Sequence, residues 1–305
     1  MIDFINSTLR FATPLIFASM GGLLCERAGI ATICIEGIIL VSAFTSAAFD
    51  YYSSSPWLSL GAALLVGGVF MLLHAFLTVR VKSDPIISAI TVNLLASGMT
   101  PLLMKLLFSN STNTPSLPQE NRFLPVFIPF LSSFPIIRHF SNHLSLVYLA
   151  ILLPFVIQIT LTNTRWGLRL IAAGDGPEAL VTSGVSLNHT RFVALFLGGC
   201  LMAFSGSYLA IGHSSQFIRD MSAGRGFIAL AAIIIGKWQP IPTLVACVFF
   251  GFTDALQIEL QSSEMLNLIL PAQFIQSLPY VISLVVLVFA MGRAKPPLAI
   301  GQTSR

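Results

Sequence analysis

The sequence predicts an all-α polytopic membrane protein of about eight to ten transmembrane or half-membrane helices, and three observations predict it. Charged residues make up 9% of the chain, against roughly 25% in ordinary soluble domains. Hydrophobic residues make up 55%, and the mean hydropathy is +0.85. Several apolar runs reach the roughly 20 residues that a helix needs to cross the hydrocarbon core. Lipid in place of water is the setting in which so few charges suffice.

In chain order, the candidate spans are residues 11–25, 30–49, 57–79, 86–108, 144–162, 192–212, 226–236, 241–260 and 278–291. Most are full-length apolar runs bounded by polar or turn-forming residues. Two are irregular. At roughly 1.5 Å per residue, 226–236 crosses only about half a membrane, and 30–49 carries Glu36 inside its apolar run. The stretches 29–37 and 226–236 are both bounded by glycines and both follow an arginine. They suggest an inverted repeat whose interrupted helices meet near the midplane.

Basic residues orient the bundle. Arg80 and Lys82, then Arg165, Arg169 and Arg191, then Lys237, then Arg293, Lys295 and Arg305 fall on one side when the spans alternate. By the positive-inside bias that side is cytoplasmic. The opposite face receives residues 50–56 and the Ser-, Asn- and Pro-rich segment 109–143, read as an external loop although it carries Arg122 and Arg138. Strict alternation puts the N-terminus outside, whereas a re-entrant first hairpin would put it inside. The chain reads as one transmembrane domain over 1–305, with no signal peptide at its polar start.

The net charge of +4 comes without a Lys/Arg run or an aromatic-interleaved basic strip, so no nucleic-acid partner is expected. Cys25, Cys34, Cys200 and Cys247 sit in apolar context without paired spacing and read as small core residues. The histidines are scattered, and neither a metal nor a cofactor is expected. There is no phosphate-binding loop: Gly236-Lys237 lacks both the upstream glycine and the following hydroxyl. If ATP drives this protein, another chain binds it.

The candidate chemistry lies in five places. In the polar loop 163–190, Gly174, Asp175, Gly176 and Pro177 form a turn, with Pro177 suited to the first position of a helix. Asp175 can cap that helix and Glu178 favours its positive end. A helix of about two turns over 177–183 carries Ala179 and is stopped by Gly184. It reads either as a lever for a soluble partner or as an ordinary capped connector. Within the membrane, Glu36 is either a pathway residue or an anchor accepting from backbone N–H groups at a helix break. Gly224 and Gly226 permit a tight turn whose N–H groups bind a polar ligand, with Phe227 stacking on it; the alternative is a glycine-rich turn with a packing aromatic. Asp254 and Gln257, one helical turn apart, line the same cavity, or Asp254 pairs with a basic residue. Asn93 is a milder candidate of the same kind.

The run GLRLIAAGDGPEALVTSGVSLNHTR resembles the cytoplasmic coupling loop of permease subunits in bacterial ABC importers, in the family serving branched-chain amino acids, ribose-type sugars and nucleosides. Three further stretches agree: ERAGIATICIEGIIL at 26–40, VKSDPIISAITVNLLASGMT at 81–100 and AGRGFIALAAIIIGKWQP at 223–240. The last resembles the nucleoside and simple-sugar branch. The resemblance implies a permease in the bacterial cytoplasmic (inner) membrane that performs no covalent chemistry. Its implied partners are a separate ATPase subunit docked on the coupling loop, an extracytoplasmic substrate-binding protein and a second permease, with a heterodimer favoured over a homodimer. It also adds Thr32 to the pathway candidates. Thr32 stands where the family has Asn and Cys34 where it has Gly, and the missing glycine argues against an unwound segment there. The rival reading is an ion-gradient-driven secondary transporter using Glu36, Asp254 and Asp84.

Overall fold

The computed structural model describes residues 2–109, 112–118, 123, 125–127, 142–262, 272–291 and 295–301. Its helices are α1 (Ile2–Arg27), α2 (Ile35–Ser53), α3 (Pro56–Ala75), α4 (Pro85–Phe108), α5 (Ser145–Asn163), α6 (Arg165–Asp175), α7 (Pro177–Thr182), α8 (Leu187–Ser207), α9 (Arg225–Ile235), α10 (Pro240–Ser262) and α11 (Ala272–Met291). Wider π-type turns extend α3 through Phe76–Arg80 and α8 through Tyr208–Ser214. Among the described residues, six helices are long and apolar enough to cross a membrane; α9 and the apolar part of α11 are shorter. Short strands β1 (Pro125–Phe127) and β2 (Asn142–Leu144) pair antiparallel.

Local sequence sets the helix starts. Asp84 accepts from the N–H groups of Ile86 and Ile87 at 2.7 and 3.2 Å, and Pro85 begins α4 where its missing N–H is not needed. Thr164 caps α6 through Gly167 at 3.1 Å, and Ser186 caps α8 through His189 at 3.3 Å. Asp175 does not cap α7. The N-cap is Gly176, with no side-chain bond, because Asp175 is the last residue of α6 and turns to Arg27 instead.

The centre of the bundle is α1, whose membrane-crossing stretch is 83% buried, against 28% for α4. It packs on α8, α10, α9 and α5. Its hydroxyls Thr8, Thr13 and Ser19 bond to carbonyls of the preceding turn, as Thr13 does to Leu9 at 2.7 Å. The backbones of α1 and α8 close up at Gly21 and Gly198: a Cβ at 21 would lie 2.5 Å from the Gly198 carbonyl oxygen. Small residues of this kind let membrane helices approach closely. Phe17 and Phe204 stack farther along the same antiparallel pair, 5.1 Å between ring centroids.

Arg27, Asp175, Arg191 and Trp238 meet at one end of the bundle. The N-terminal part of α1 lies at the opposite end, beside His213. At that end, residues 112–118 lie along 215–219 through backbone bonds such as Leu117 N–H to Ser215 carbonyl, 2.8 Å. Most of 119–141, including Arg122 and Arg138, lies outside the described residues, as do Arg293 and Arg305.

Candidate functional site

Between α1 and α2 the chain is non-helical over residues 28–34. The lack of glycine at 34 does not prevent this break, because Gly29 takes the left-handed turn at φ 87° and side chains from four other elements hold the rest. Exposed backbone polar groups cannot be left unpaired in hydrocarbon, and side chains pair four of those in this stretch. Arg191 donates to the Ala28 carbonyl at 3.2 Å. His74, fully buried, donates from Nε2 to the Ala31 carbonyl at 3.1 Å while Nδ1 faces the Ser88 hydroxyl at 2.9 Å. Thr32 donates its N–H and hydroxyl to Oε1 of Glu26, at 3.4 and 3.2 Å. Asn93 bridges the far side: Nδ2 donates to the Ile33 carbonyl at 3.0 Å, and Oδ1 accepts from the Gly37 N–H at 2.8 Å.

Glu36 stands in the first turn of α2, just past the break, and reaches the start of α9. Its Oε1 accepts from the Gly224 N–H at 2.8 Å and its Oε2 from the Gly226 N–H at 2.7 Å. A carboxylate suits both positions, since a helix start offers unpaired donors and the positive end of a dipole. The N–H groups that the sequence offers to a ligand are therefore bonded to Glu36. Position 226 must be glycine, because a Cβ there would sit 2.5 Å from the Glu36 nitrogen. The two interrupted helix pairs, α1–α2 and α8–α9, thus meet at their inner helix starts. Since α9 has only 11 residues, the junction lies roughly 16 Å from the end of the bundle that carries Trp238.

A cavity of about 320 Å³ opens beside this junction, lined by Glu36, Gly37, Asn93, Ser97, Gly224 and Phe227 among others. Phe227 is 51% exposed. A carboxylate has about four lone-pair positions and two are engaged here, so Glu36 retains acceptor capacity. The cavity thus offers an acceptor, an amide, a hydroxyl and an aromatic face. A second cavity of about 320 Å³ lies on the other side of Ala223 and brings Asp254 and Gln257 together with Arg225, Gln276 and Phe11. The sequence placed Asp254 and Gln257 in one cavity with the Gly224 turn; they occupy this neighbouring one, with Ala223 common to both. Thr32 lines neither cavity: it is fully buried and turned to Glu26.

At the end of the bundle that carries Arg27, a second constellation joins the α6–α7 turn to α1 and α9. Arg27 donates to the Trp238 carbonyl at 2.7 Å, and its guanidinium lies 3.9 Å from Asp175. The Trp238 indole N–H donates to Oε2 of Glu26. The Gly174 carbonyl accepts from the Ala299 N–H at 2.9 Å. Beyond it, Glu178, Ala179, Val181, Thr182 and Gly184 are exposed. Sequence reasoning missed Glu26, His74, Arg191 and Trp238, which act through partners distant in the chain. The available signal was a polar group within or close beside an apolar span, which requires a partner when buried.

The family model described as branched-chain amino acid transport system / permease component matches residues 4–291. The guanosine ABC transporter permease protein NupQ of Bacillus subtilis (strain 168) is 33% identical, with 97% of this chain and 94% of the relative aligned. The nucleoside ABC transporter permease protein NupC of Lactococcus lactis subsp. cremoris is 34% identical over 97% of this chain and 95% of its own length. A putative glucose ABC transporter permease protein of Haloferax volcanii is 29% identical over 95% and 92%. No solved structure gives a significant match.

Proposed function

Since this chain belongs to the family of branched-chain amino acid transport system permease components, we propose that it forms one half of the translocation pathway of an ATP-driven importer for nucleosides. The chain is a multi-pass membrane protein and a transport component rather than an enzyme. An ATPase subunit and a substrate-binding protein are its partners as a family member. That membership displaces the ion-coupled alternative. Two of its three proposed carboxylates are also otherwise engaged, Glu36 on α9 and Asp84 as the cap of α4.

The observation that carries the reading is the half-length helix α9, whose start is clamped to Glu36 beside an open polar cavity. A nucleoside has an aromatic base and a hydroxyl-bearing sugar. The exposed Phe227 ring suits the first; the acceptor of Glu36, Asn93 and the Ser97 hydroxyl suit the second. Relatives named for guanosine and for nucleosides are 33% and 34% identical, against 29% for the one named for glucose. Gly224, Gly226, Asp254 and Gln257 belong to the same pathway, which a second, different permease closes from the exposed side of α4. The loop 163–190, with Gly174, Asp175, Gly176, Pro177, Glu178, Ala179 and Gly184, docks the ATPase. The bilayer is the bacterial cytoplasmic (inner) membrane, with loop 109–143 outside.

Reconstituting the complete transporter in vesicles and measuring ATP-dependent uptake of labelled guanosine against labelled glucose tests this directly. Nucleoside uptake that requires this chain is expected. Glucose uptake without nucleoside uptake would overturn the substrate, and uptake without a separate ATPase would overturn the mechanism.

A further inference from the structure

A third cavity, of about 230 Å³, lies on the outer surface of the bundle near its cytoplasmic end, between α5 and α8. Its floor is Leu24 of α1; Ile157 and Thr160 form one wall, Leu197 and Cys200 the other, and Trp166 of α6 closes its cytoplasmic end. The lining is apolar throughout. The Thr160 hydroxyl is turned away onto the Val156 carbonyl at 2.7 Å. Water has no partner in such a space, whereas a hydrocarbon chain fills it. Leu197 is 40% exposed, so the groove is open from the membrane side.

The charge at its mouth identifies the occupant. Arg165 and Arg169 are one helical turn apart on α6, flank Trp166, and are both exposed. Neither takes part in an ion pair among the described residues, and the acidic residue of α6, Asp175, lies at its other end beside Arg27. Tryptophan belongs at the membrane–water boundary, and arginines just outside it attract anionic headgroups. We infer that the α5–α8 groove holds an anionic phospholipid, with an acyl chain over Leu24 and Ile157 and its phosphate on Arg165 and Arg169.

The test is fluorescence quenching of Trp166 in the complete transporter, carried in bilayer discs of phosphatidylcholine with a minor fraction of phosphatidylglycerol. A Trp57→Phe background removes the exposed indole, and Trp238 is only 6% exposed. Bromine is placed on the acyl chains of one lipid at a time. With two arginines near the surface, brominated phosphatidylglycerol is expected to quench with roughly 30-fold preference per molecule over brominated phosphatidylcholine. The double variant Arg165→Gln, Arg169→Gln is expected to lose the preference while unselective quenching persists, and Arg165→Lys, Arg169→Lys to keep most of it. Equal quenching by the two lipids in the unsubstituted complex would overturn the inference. So would relief of quenching by soluble glycerol phosphate, which would mean an anion site without a chain.

Discussion

The carboxylate of Glu36 lies against the backbone of Gly226, close enough that a methyl group at position 226 would be 2.8 Å from Oε2 and 2.5 Å from the Glu36 nitrogen. Two half-turns of backbone, one from each interrupted helix pair, are thereby joined through the Glu36 side chain by charge-assisted bonds. A helix that starts inside a membrane leaves donors that lipid cannot satisfy, and Glu36 satisfies those of α9.

Substitution at this junction separates packing from charge. Gly226→Ala forces the two backbones apart and is expected to abolish nucleoside uptake and lower the thermal midpoint of the purified complex. Glu36→Gln keeps the shape but turns an NH₂ group toward one of the donors. Leaving a buried donor unsatisfied costs about 1–3 kcal/mol, so E36Q is expected to fold and assemble with reduced uptake. An E36Q transporter with unchanged uptake would make the clamp dispensable.

Asn93 allows a graded test, because its two bonds have different partners. Asn93→Asp retains an acceptor for the Gly37 N–H but leaves the Ile33 carbonyl unpaired; Asn93→Leu leaves both groups unpaired. At about 1 kcal/mol or more for each lost buried bond, the thermal midpoint is expected to fall in the order Asn, Asp, Leu. Uptake is expected to fall in the same order, read by ATP-driven nucleoside accumulation. An aspartate as damaging as leucine would remove the Gly37 bond from the argument.

Much of this architecture is legible in the sequence because hydropathy is local. The full spans, the half-length α9, the turn at Gly176-Pro177 and the capping of α7 by a preceding residue all follow from neighbours in the chain, although the cap is Gly176 and not Asp175. Glu36 stood out as a charge within an apolar run, and its anchoring to backbone N–H groups was one of the two readings open to it. What the sequence does not reveal is long-range pairing. Nothing near position 74 says that His74 will donate to Ala31, and nothing near 238 says that its indole will meet Glu26. The unwound stretch 28–34 was misjudged for the same reason: local glycine content argued against it, and tertiary hydrogen bonds stabilise it.

The Arg27–Trp238 constellation ranks its own members by magnitude. The Arg27–Asp175 pair is 3.9 Å long with Asp175 46% exposed, and exposed ion pairs contribute roughly 0–1 kcal/mol. The Arg27 bond to the Trp238 carbonyl and the Trp238 bond to Glu26 are better shielded. Asp175→Asn is therefore expected to leave the thermal midpoint nearly unchanged, whereas Trp238→Phe, which strands a buried carboxylate oxygen, is expected to lower it by the equivalent of about 1–3 kcal/mol. Thermal unfolding of the two variants side by side decides it, and a larger effect from D175N would reverse the ranking.

The exposed turn helix α7 offers the sharpest separation of docking from folding. Leu180 is 4% exposed and anchors the helix to the bundle, whereas Ala179 and Val181 face outward, Val181 at 55% exposure. A bulky residue at an outward position disturbs whatever docks there but not the bundle beneath, so Ala179→Trp is expected to keep the membrane complex folded. It is also expected to lose the co-purifying ATPase subunit and, with it, ATP-driven uptake. Leu180→Ala removes a buried side chain instead, and deleting that many buried methyl groups costs about 2–5 kcal/mol; it is expected to lower thermal stability as well as ATPase retention. Quantifying the ATPase subunit per permease in each preparation reads the difference. If A179W retains the subunit at the unsubstituted ratio and still transports, the ATPase docks on another surface and α7 is only a connector.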